Sequence, residues 1–360
     1  DLYTNIAGLI ANSLCPADLS DVLNSFGSGE NSQTNWNSKN PAKSIFPKLN
    51  WKDAPFSLTE QQLREVIYIP STFTWGKKPP VILVPGTGAI GGENYGSNYI
   101  KLLTGTSYAD PVWLNIPGFM LRDAQVNSEY VAYAINYIKE TTGQKPSLIG
   151  WSQGNLDIQW AHKYWPSTRQ NSKQHIAISP DYHGTILADV LCPNFPKLPC
   201  PPSVIQQEYN SAYITQLRKN GGDSAYIPTT NVFSTTDEVV QPQSIPSASA
   251  ILNDARNVGV TNNELQQICN GKPAGLFYTH EGVLYNPVAF ALAKDALIHG
   301  GPGQVGRIDL NDLCQEFATD GLSLTDVVAT EGVIGIAAAA LLAYEAKLYA
   351  EPALMKYATW

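Results

Sequence analysis

The most constraining stretch of the chain is Pro146-Ser147-Leu148-Ile149-Gly150-Trp151-Ser152-Gln153-Gly154-Asn155. Leu148-Ile149 reads as a short buried strand. It stops at Gly150-Trp151-Ser152-Gln153-Gly154, a G-x-S-x-G sequence, and an amphipathic segment from Leu156 to Trp165 follows at once. Strand and helix can pass closely around such a bend only if the residues two before and two after the serine are small. Glycine fills both places. The context is that of a nucleophile elbow, which holds a serine hydroxyl at the end of a sheet strand.

The segments around the elbow alternate in kind. Val81-Ile82-Leu83-Val84 reads as a buried strand, with a helix containing Tyr99, Ile100, Leu102 and Leu103 after it. Val112-Trp113-Leu114-Asn115-Ile116 is the next strand, and a long helix then runs through Val126, Tyr130, Ala134 and Ile138 to Gly143. Beyond the elbow come strands at His175-Ile176-Ala177-Ile178-Ser179, Asn231-Val232-Phe233-Ser234 and Leu276-Phe277-Tyr278. This order predicts an α/β fold with a mainly parallel central sheet covered by helices on both faces. Ligands of such sheets bind beyond the carboxyl ends of the strands. Residues 1–51 are expected to form a helical N-terminal extension and linker, loosely tied to a catalytic domain at 52–360. Its linker begins near Gly27, where the composition turns to Gly, Ser, Asn and Gln. Within the domain, residues 186–206 are expected at the pocket rim. The alanine-rich region 322–360 supplies a C-terminal helix that is either buried or laid over an apolar cleft.

A serine is a weak nucleophile until a base takes its proton, and that base is normally a histidine oriented by a carboxylate. With this strand order the acid and then the histidine follow the serine in the chain. Five histidines are available. His162 lies within the helix after the elbow, and His175 opens a strand at the wrong end of the sheet. His183 has only Asp181 before it as acid, and His299 ends a helix. His280, after the apparent strand at 276–278, is the candidate base for Ser152. Asp237, two strands after the elbow, is the candidate acid, with Glu238 the local alternative. Asp181, one strand closer, is a second carboxylate at the same sheet edge. The oxyanion needs fixed donors, expected from the backbone of Gln153 and from Thr87 in the loop Gly86-Thr87-Gly88.

That loop permits another reading. Gly86-Thr87-Gly88-Ala89-Ile90-Gly91 fits a dinucleotide-binding G-x-G-x-x-G, which would make the chain an NAD-dependent oxidoreductase. The reading lacks its ribose-binding acid, because Asn115-Ile116-Pro117 stands where the acid belongs. A non-catalytic binding protein on the same fold is the other alternative, disfavoured by intact candidates for nucleophile, acid and base. Net charge −8, from 23 Lys plus Arg against 31 Asp plus Glu, argues against nucleic acid and anionic membrane surfaces. No cofactor and no metal are expected, since the cysteines and histidines form no metal-binding spacing.

Six separated stretches, in order, resemble the secreted fungal lipases similar to Candida antarctica lipase B. They are Leu83 to Gly88, Phe119 to Asn127, Trp151 to Gly154, Pro180 to Thr185, Pro228 to Asn231 and Thr236 to Pro242. The resemblance implies an α/β-hydrolase with nucleophile Ser152, base His280, acid Asp237, and an oxyanion hole of Thr87 and Gln153. It places Asp181 beside the acyl pocket and Trp151 at the floor of the alcohol side. The expectation is a secreted, monomeric serine hydrolase of carboxylic esters, above all a triacylglycerol lipase. Its partners are a lipid or other ester and an oil–water interface. No transmembrane segment is expected, the apolar run Val333 to Tyr344 being too short.

There are five cysteines, so one sulfur is left over. Cys269 and Cys314 match a disulfide retained from that family. Cys192 and Cys200 bracket a Pro-rich loop without family counterpart, at the place of a short mobile helix, and a bridge there would stiffen the pocket rim. Ile69 and Val112 stand where another family disulfide would fall. Cys15 is expected to be free. The chain has no N-x-S/T sequon.

Overall fold

The computed structural model describes residues 29–359. The helical reading of the first 26 residues, and Cys15 with it, lies outside them. Seven strands form one sheet in the order β1-β3-β2-β4-β5-β6-β7. They are β1 Ile67–Tyr68, β2 Pro80–Val84, β3 Asp110–Leu114, β4 Ser147–Trp151, β5 His175–Ile178, β6 Thr229–Phe233 and β7 Val260–Glu264. Only β1 is antiparallel, pairing with β3 at the edge. Side chains of a strand alternate between faces, and both faces here are apolar. Ile82 and Val84 of β2 enter one core with α2 (Ala124–Thr142) and α3 (Gln153–Tyr164). Val81 and Leu83 enter a second core with α6 (Pro287–His299). Helix α1 (Gly91–Gly96) adds Tyr95 to the second core, and α4 (Ala188–Leu191) and α5 (Pro202–Gln206) contribute to a third, smaller one. The long helix ends as its sequence requires: Gly143 adopts φ 76° and its N–H donates to the Lys139 carbonyl.

Three strand assignments depart from the sequence expectation. Leu276-Phe277-Tyr278 is not a strand; the chain runs there as an irregular segment after a 3₁₀ turn at Pro273–Gly275. Leu276 and Phe277 are 55% and 72% exposed and only Tyr278 is buried, so the apolar run does not enter a core. The last strand is instead β7, Val260-Thr261-Asn262-Asn263-Glu264, too polar to be read as one. β1, two residues long, also escapes periodicity. The stretch read as a linker is laced to the body. The Glu30 carbonyl accepts from Trp113 Nε1 at 2.7 Å and Asn115 Nδ2 at 2.9 Å. The amides of Asn35 and Asn37 donate to the carbonyls of Glu65, Arg64 and Ile67. Its asparagines thus satisfy main-chain acceptors beside the sheet edge, something composition alone does not distinguish from a solvated linker.

The C-terminal region forms two helices, α7 (Leu324–Glu331) and α8 (Val333–Ala343), broken at Gly332. Taken together, Leu324–Ala343 is long and apolar enough to cross a membrane by length and composition, and 28% of it is buried. It is laid across the carboxyl end of the sheet: a Cβ added at Gly88 would lie 2.6 Å from Ala337 Cα. Ile336, Ala340, Leu341 and Tyr344 share a small core with Leu191, Cys192, Phe195 and Cys200 of the rim. Disulfides join Cys192 to Cys200 and Cys269 to Cys314, as expected. Cys200 also pairs through its backbone with Leu348, N–H to carbonyl in both directions at 2.8 Å.

Candidate active site

Strand order reverses about β2, with β3 on one side and β4 on the other, so a crevice opens beyond their carboxyl ends. The loop after β2 carries Thr87, and the turn after β4 carries Ser152. Ser152 has φ 53° and ψ −131°, a conformation costly for any residue but glycine. The surroundings hold it. Its N–H donates to the Ile178 carbonyl at 3.1 Å, and Asn155 Nδ2 donates to the carbonyls of Ser152 and Ile178. The flanking glycines have no room for a side chain: a Cβ at Gly154 would lie 2.4 Å from the Val84 carbonyl oxygen, and one at Gly150 2.3 Å from Asn155 Oδ1. Gly86 is equally confined, 2.6 Å from the Trp151 ring and 2.8 Å from Ser152 Cβ. The loop after β2 therefore passes directly over the elbow.

His280 is brought to the same place without the strand that sequence assigned to it. Ser234 and Thr236, just past β6, each donate a hydroxyl to the Tyr278 carbonyl at 2.9 Å. Thr236 Oγ1 also accepts the Tyr278 N–H. The His280 carbonyl accepts from Trp151 Nε1 at 3.1 Å and from Ser179 Oγ at 2.8 Å. Its imidazole lies 4.9 Å from the Trp151 ring, centroid to centroid. The imidazole is thus locked beside the residue that precedes Ser152. Its Nδ1 is 2.7 Å from Asp237 Oδ2, and its Nε2 is buried with no hydrogen-bond partner among the described residues. Asp237 Oδ1 accepts the N–H groups of Val239 and Val240 at 2.9 and 2.7 Å, which fixes the carboxylate.

Electrostatics favour a charged imidazole. Burial alone pushes His280 down, but the hydrogen-bonded Asp237 carboxylate, with Glu238 and Asp181 further off, carries it above its usual value. Asp181 is fully buried, and neither oxygen has a hydrogen-bond partner in another described residue. Burial pushes its carboxyl up to about 7, held back by His280 and reinforced by Asp237. Glu238, the alternative acid, turns to the main chain instead and accepts the His280 N–H at 3.0 Å. His162 and His175 are buried away from this cluster: His162 Nδ1 meets Thr168 Oγ1, and His175 Nε2 meets Asn155 Oδ1.

Gln153 begins α3, so its N–H has no intrahelical acceptor. Its side-chain carbonyl accepts the Thr87 hydroxyl at 2.7 Å. Gln207, at the end of α5, donates to Thr87 Oγ1 at 2.9 Å and to Gln153 Oε1 at 3.1 Å. Gln207 escapes sequence reasoning because it matches no spacing to the elbow. The dinucleotide reading finds no ribose-binding acid at the end of β3. Asn115, at the end of β3, is spent on the Gly92 N–H and on the carbonyls of Glu30 and Ser32. Among the described residues no cluster of His, Cys, Asp and Glu suits a metal ion.

No known protein-family model matches the sequence. The chain is 38% identical to lipase B of Pseudozyma antarctica over 288 residues, 78% of this chain and 79% of that protein. The chain belongs to the lipase B family. The crystal structure of Aspergillus fumigatus lipase B superposes with a TM-score of 0.89 at 49% identity, over 97% of this chain and 84% of that one. This lipase B relative is accordingly a carboxylic ester hydrolase on an α/β-hydrolase fold.

Proposed function

We propose that the protein is a secreted lipase that cleaves acylglycerol esters through an acyl-enzyme on Ser152. The observation that carries this reading is the 2.7 Å pair between His280 Nδ1 and Asp237 Oδ2, beside a strained serine and with Nε2 unpaired. His280 Nε2 takes the Ser152 proton as the oxygen attacks the ester carbonyl. Asp237 holds the ring in the tautomer that leaves Nε2 basic and stabilises the imidazolium that forms. The N–H groups of Thr87 and Gln153 receive the oxyanion, and the Thr87 hydroxyl exchanges the Gln153 carbonyl for it. Collapse expels the alcohol with the proton from His280. Water then attacks the acyl-enzyme, with His280 again the base, and releases the acid. Trp151 bounds the alcohol side, and Asp181 borders the acyl side.

Two disulfides fit an oxidising compartment. Ile186, Leu198 and Leu342, on the rim and on α8, are at least half exposed and support contact with an oil–water interface. The decisive experiment maps a fluorophosphonate adduct. Labelling at Ser152, with esterase activity lost in both the labelled protein and Ser152→Ala, is expected. An unlabelled protein, or activity surviving in Ser152→Ala, refutes the reading.

A further inference from the structure

Three buried or half-buried glutamates stand around the turn that carries His280, and ester hydrolysis as described uses none of them. Glu238, next to the acid, accepts the His280 N–H. Glu331 is the last residue of α7, and its Oε1 accepts the hydroxyls of Thr279 at 3.0 Å and Tyr285 at 2.8 Å. Thr279 Oγ1 in turn accepts the Gly282 N–H at 2.9 Å. The fit is close: a Cβ at Gly282 would lie 2.7 Å from Thr279 Oγ1 and 3.3 Å from both Glu331 Oε1 and the Tyr285 hydroxyl. Glu281 is wholly buried, and neither of its oxygens has a hydrogen-bond partner in another described residue. The neighbouring carboxyls of Glu238 and Glu331 act on it electrostatically.

We propose that Glu331, paired with Glu281, is a positioning residue for His280, fastening the turn 279–282 to the helices that roof the pocket. The inference rests on the hydrolase reading above. Its reach comes from α7 and α8 together. Glu331 grips the base-bearing turn, and Ala337, six residues on, presses on Gly88 of the oxyanion loop. One pair of helices therefore sets both sides of the reacting centre. Two carboxylates in contact repel, whereas a single proton between them makes a strong O–H···O⁻ bond. Burial, then Glu238, then Glu331 push the Glu281 carboxyl well above the usual carboxylate range, which favours its protonated form. The titratable groups acting on it are Glu238 from the acid loop and Glu331 from α7, with Tyr285 on its own segment. No lysine or arginine is among them.

The test measures kcat, KM and the pH profile of the full chain on p-nitrophenyl butyrate, with melting temperatures alongside. Glu331→Ala is expected to lower kcat about tenfold or more with KM little changed, because the base loses its register. Glu331→Gln, whose amide oxygen still accepts from Thr279 and Tyr285, is expected to recover most of that loss. Glu281→Gln cannot ionise, and is expected to move the alkaline fall in kcat to higher pH. The idea is overturned if folded Glu331→Ala keeps wild-type kcat, if Glu331→Gln is as impaired as Glu331→Ala, or if the Glu281→Gln profile superimposes on wild type. Should Glu331→Ala not fold, the other two variants decide. A wild type labelled at Ser152 and active, with variants unchanged, refutes the positioning role alone. An unlabelled, inactive wild type refutes the hydrolase reading.

Discussion

Gly86→Ala tests whether the oxyanion loop must lie flat on the elbow. The new Cβ would stand 2.6 Å from Trp151 Cε3 and 2.8 Å from Ser152 Cβ. Carbon atoms rest at about 3.5–4.0 Å, so loop or ring must retreat by roughly 1 Å. Trp151 is poorly placed to yield, since its ring is buried and its Nε1 is bonded to the His280 carbonyl. The retreat therefore falls on the loop, and the Thr87 N–H moves with it. A 1 Å misplacement at a reacting centre costs about a hundredfold in rate, roughly 2.7 kcal/mol. Overpacking adds about 1–3 kcal/mol of lost stability. The assay is kcat on a soluble p-nitrophenyl ester, with the melting temperature measured in parallel. Gly96→Ala serves as control, because its Cβ would meet nothing within 4 Å. A Gly86→Ala enzyme with kcat within threefold of wild type would refute the reasoning.

Other outcomes follow from the same geometry. Asp237→Asn should lower kcat by about 10³–10⁴ and shift the acid limb of kcat/KM downward, because the carboxylate that raises His280 is gone. In the wild type that limb, where the base must be neutral, should lie above the usual histidine range. Asp181→Asn should stabilise the protein at neutral and higher pH. A carboxyl at about 7 when folded and 3.8 when unfolded keeps its proton in the native state while the unfolded chain releases it. Stability then falls as pH rises from about 4 to about 7, by up to about 4 kcal/mol. The gain in melting temperature of Asp181→Asn over wild type should grow across that window, and a gain independent of pH would count against it. Replacing Cys192 and Cys200 together by serine opens a loop of sequence separation 8, which is worth up to about 2.5 kcal/mol. Protease cleavage within 186–206 should accelerate, and unchanged cleavage would show that the backbone pairing of Cys200 with Leu348 suffices.

Much of the centre was legible from sequence because its parts are local. The elbow announces itself through two glycines spaced around Ser152, and the loop after β2 through Gly86 and Gly88. Asp237 and His280 follow from chain order. The reason given for His280 was wrong in one respect: its segment is no strand. It is held by hydroxyls of Ser234 and Thr236 acting on a single peptide unit, and no periodicity reports such bonds. β7 was missed for the opposite reason, since its polar side chains bond to neighbours rather than enter a core. Asn263, for example, donates to the Asn231 carbonyl. Gln207, Glu281 and Glu331 were invisible because their importance lies in contacts between distant parts of the chain. Glu331 meets Thr279 across fifty-two positions.

The seating of Ala337 on Gly88 has a consequence for how the enzyme comes into being on the ribosome. The loop after β2 and the elbow are synthesised well before α8, the helix that covers them. Until α8 arrives, the nascent molecule exposes an apolar crevice to whatever surrounds it. A catalyst built in this order reaches its finished shape only after α8 has joined the crevice it covers.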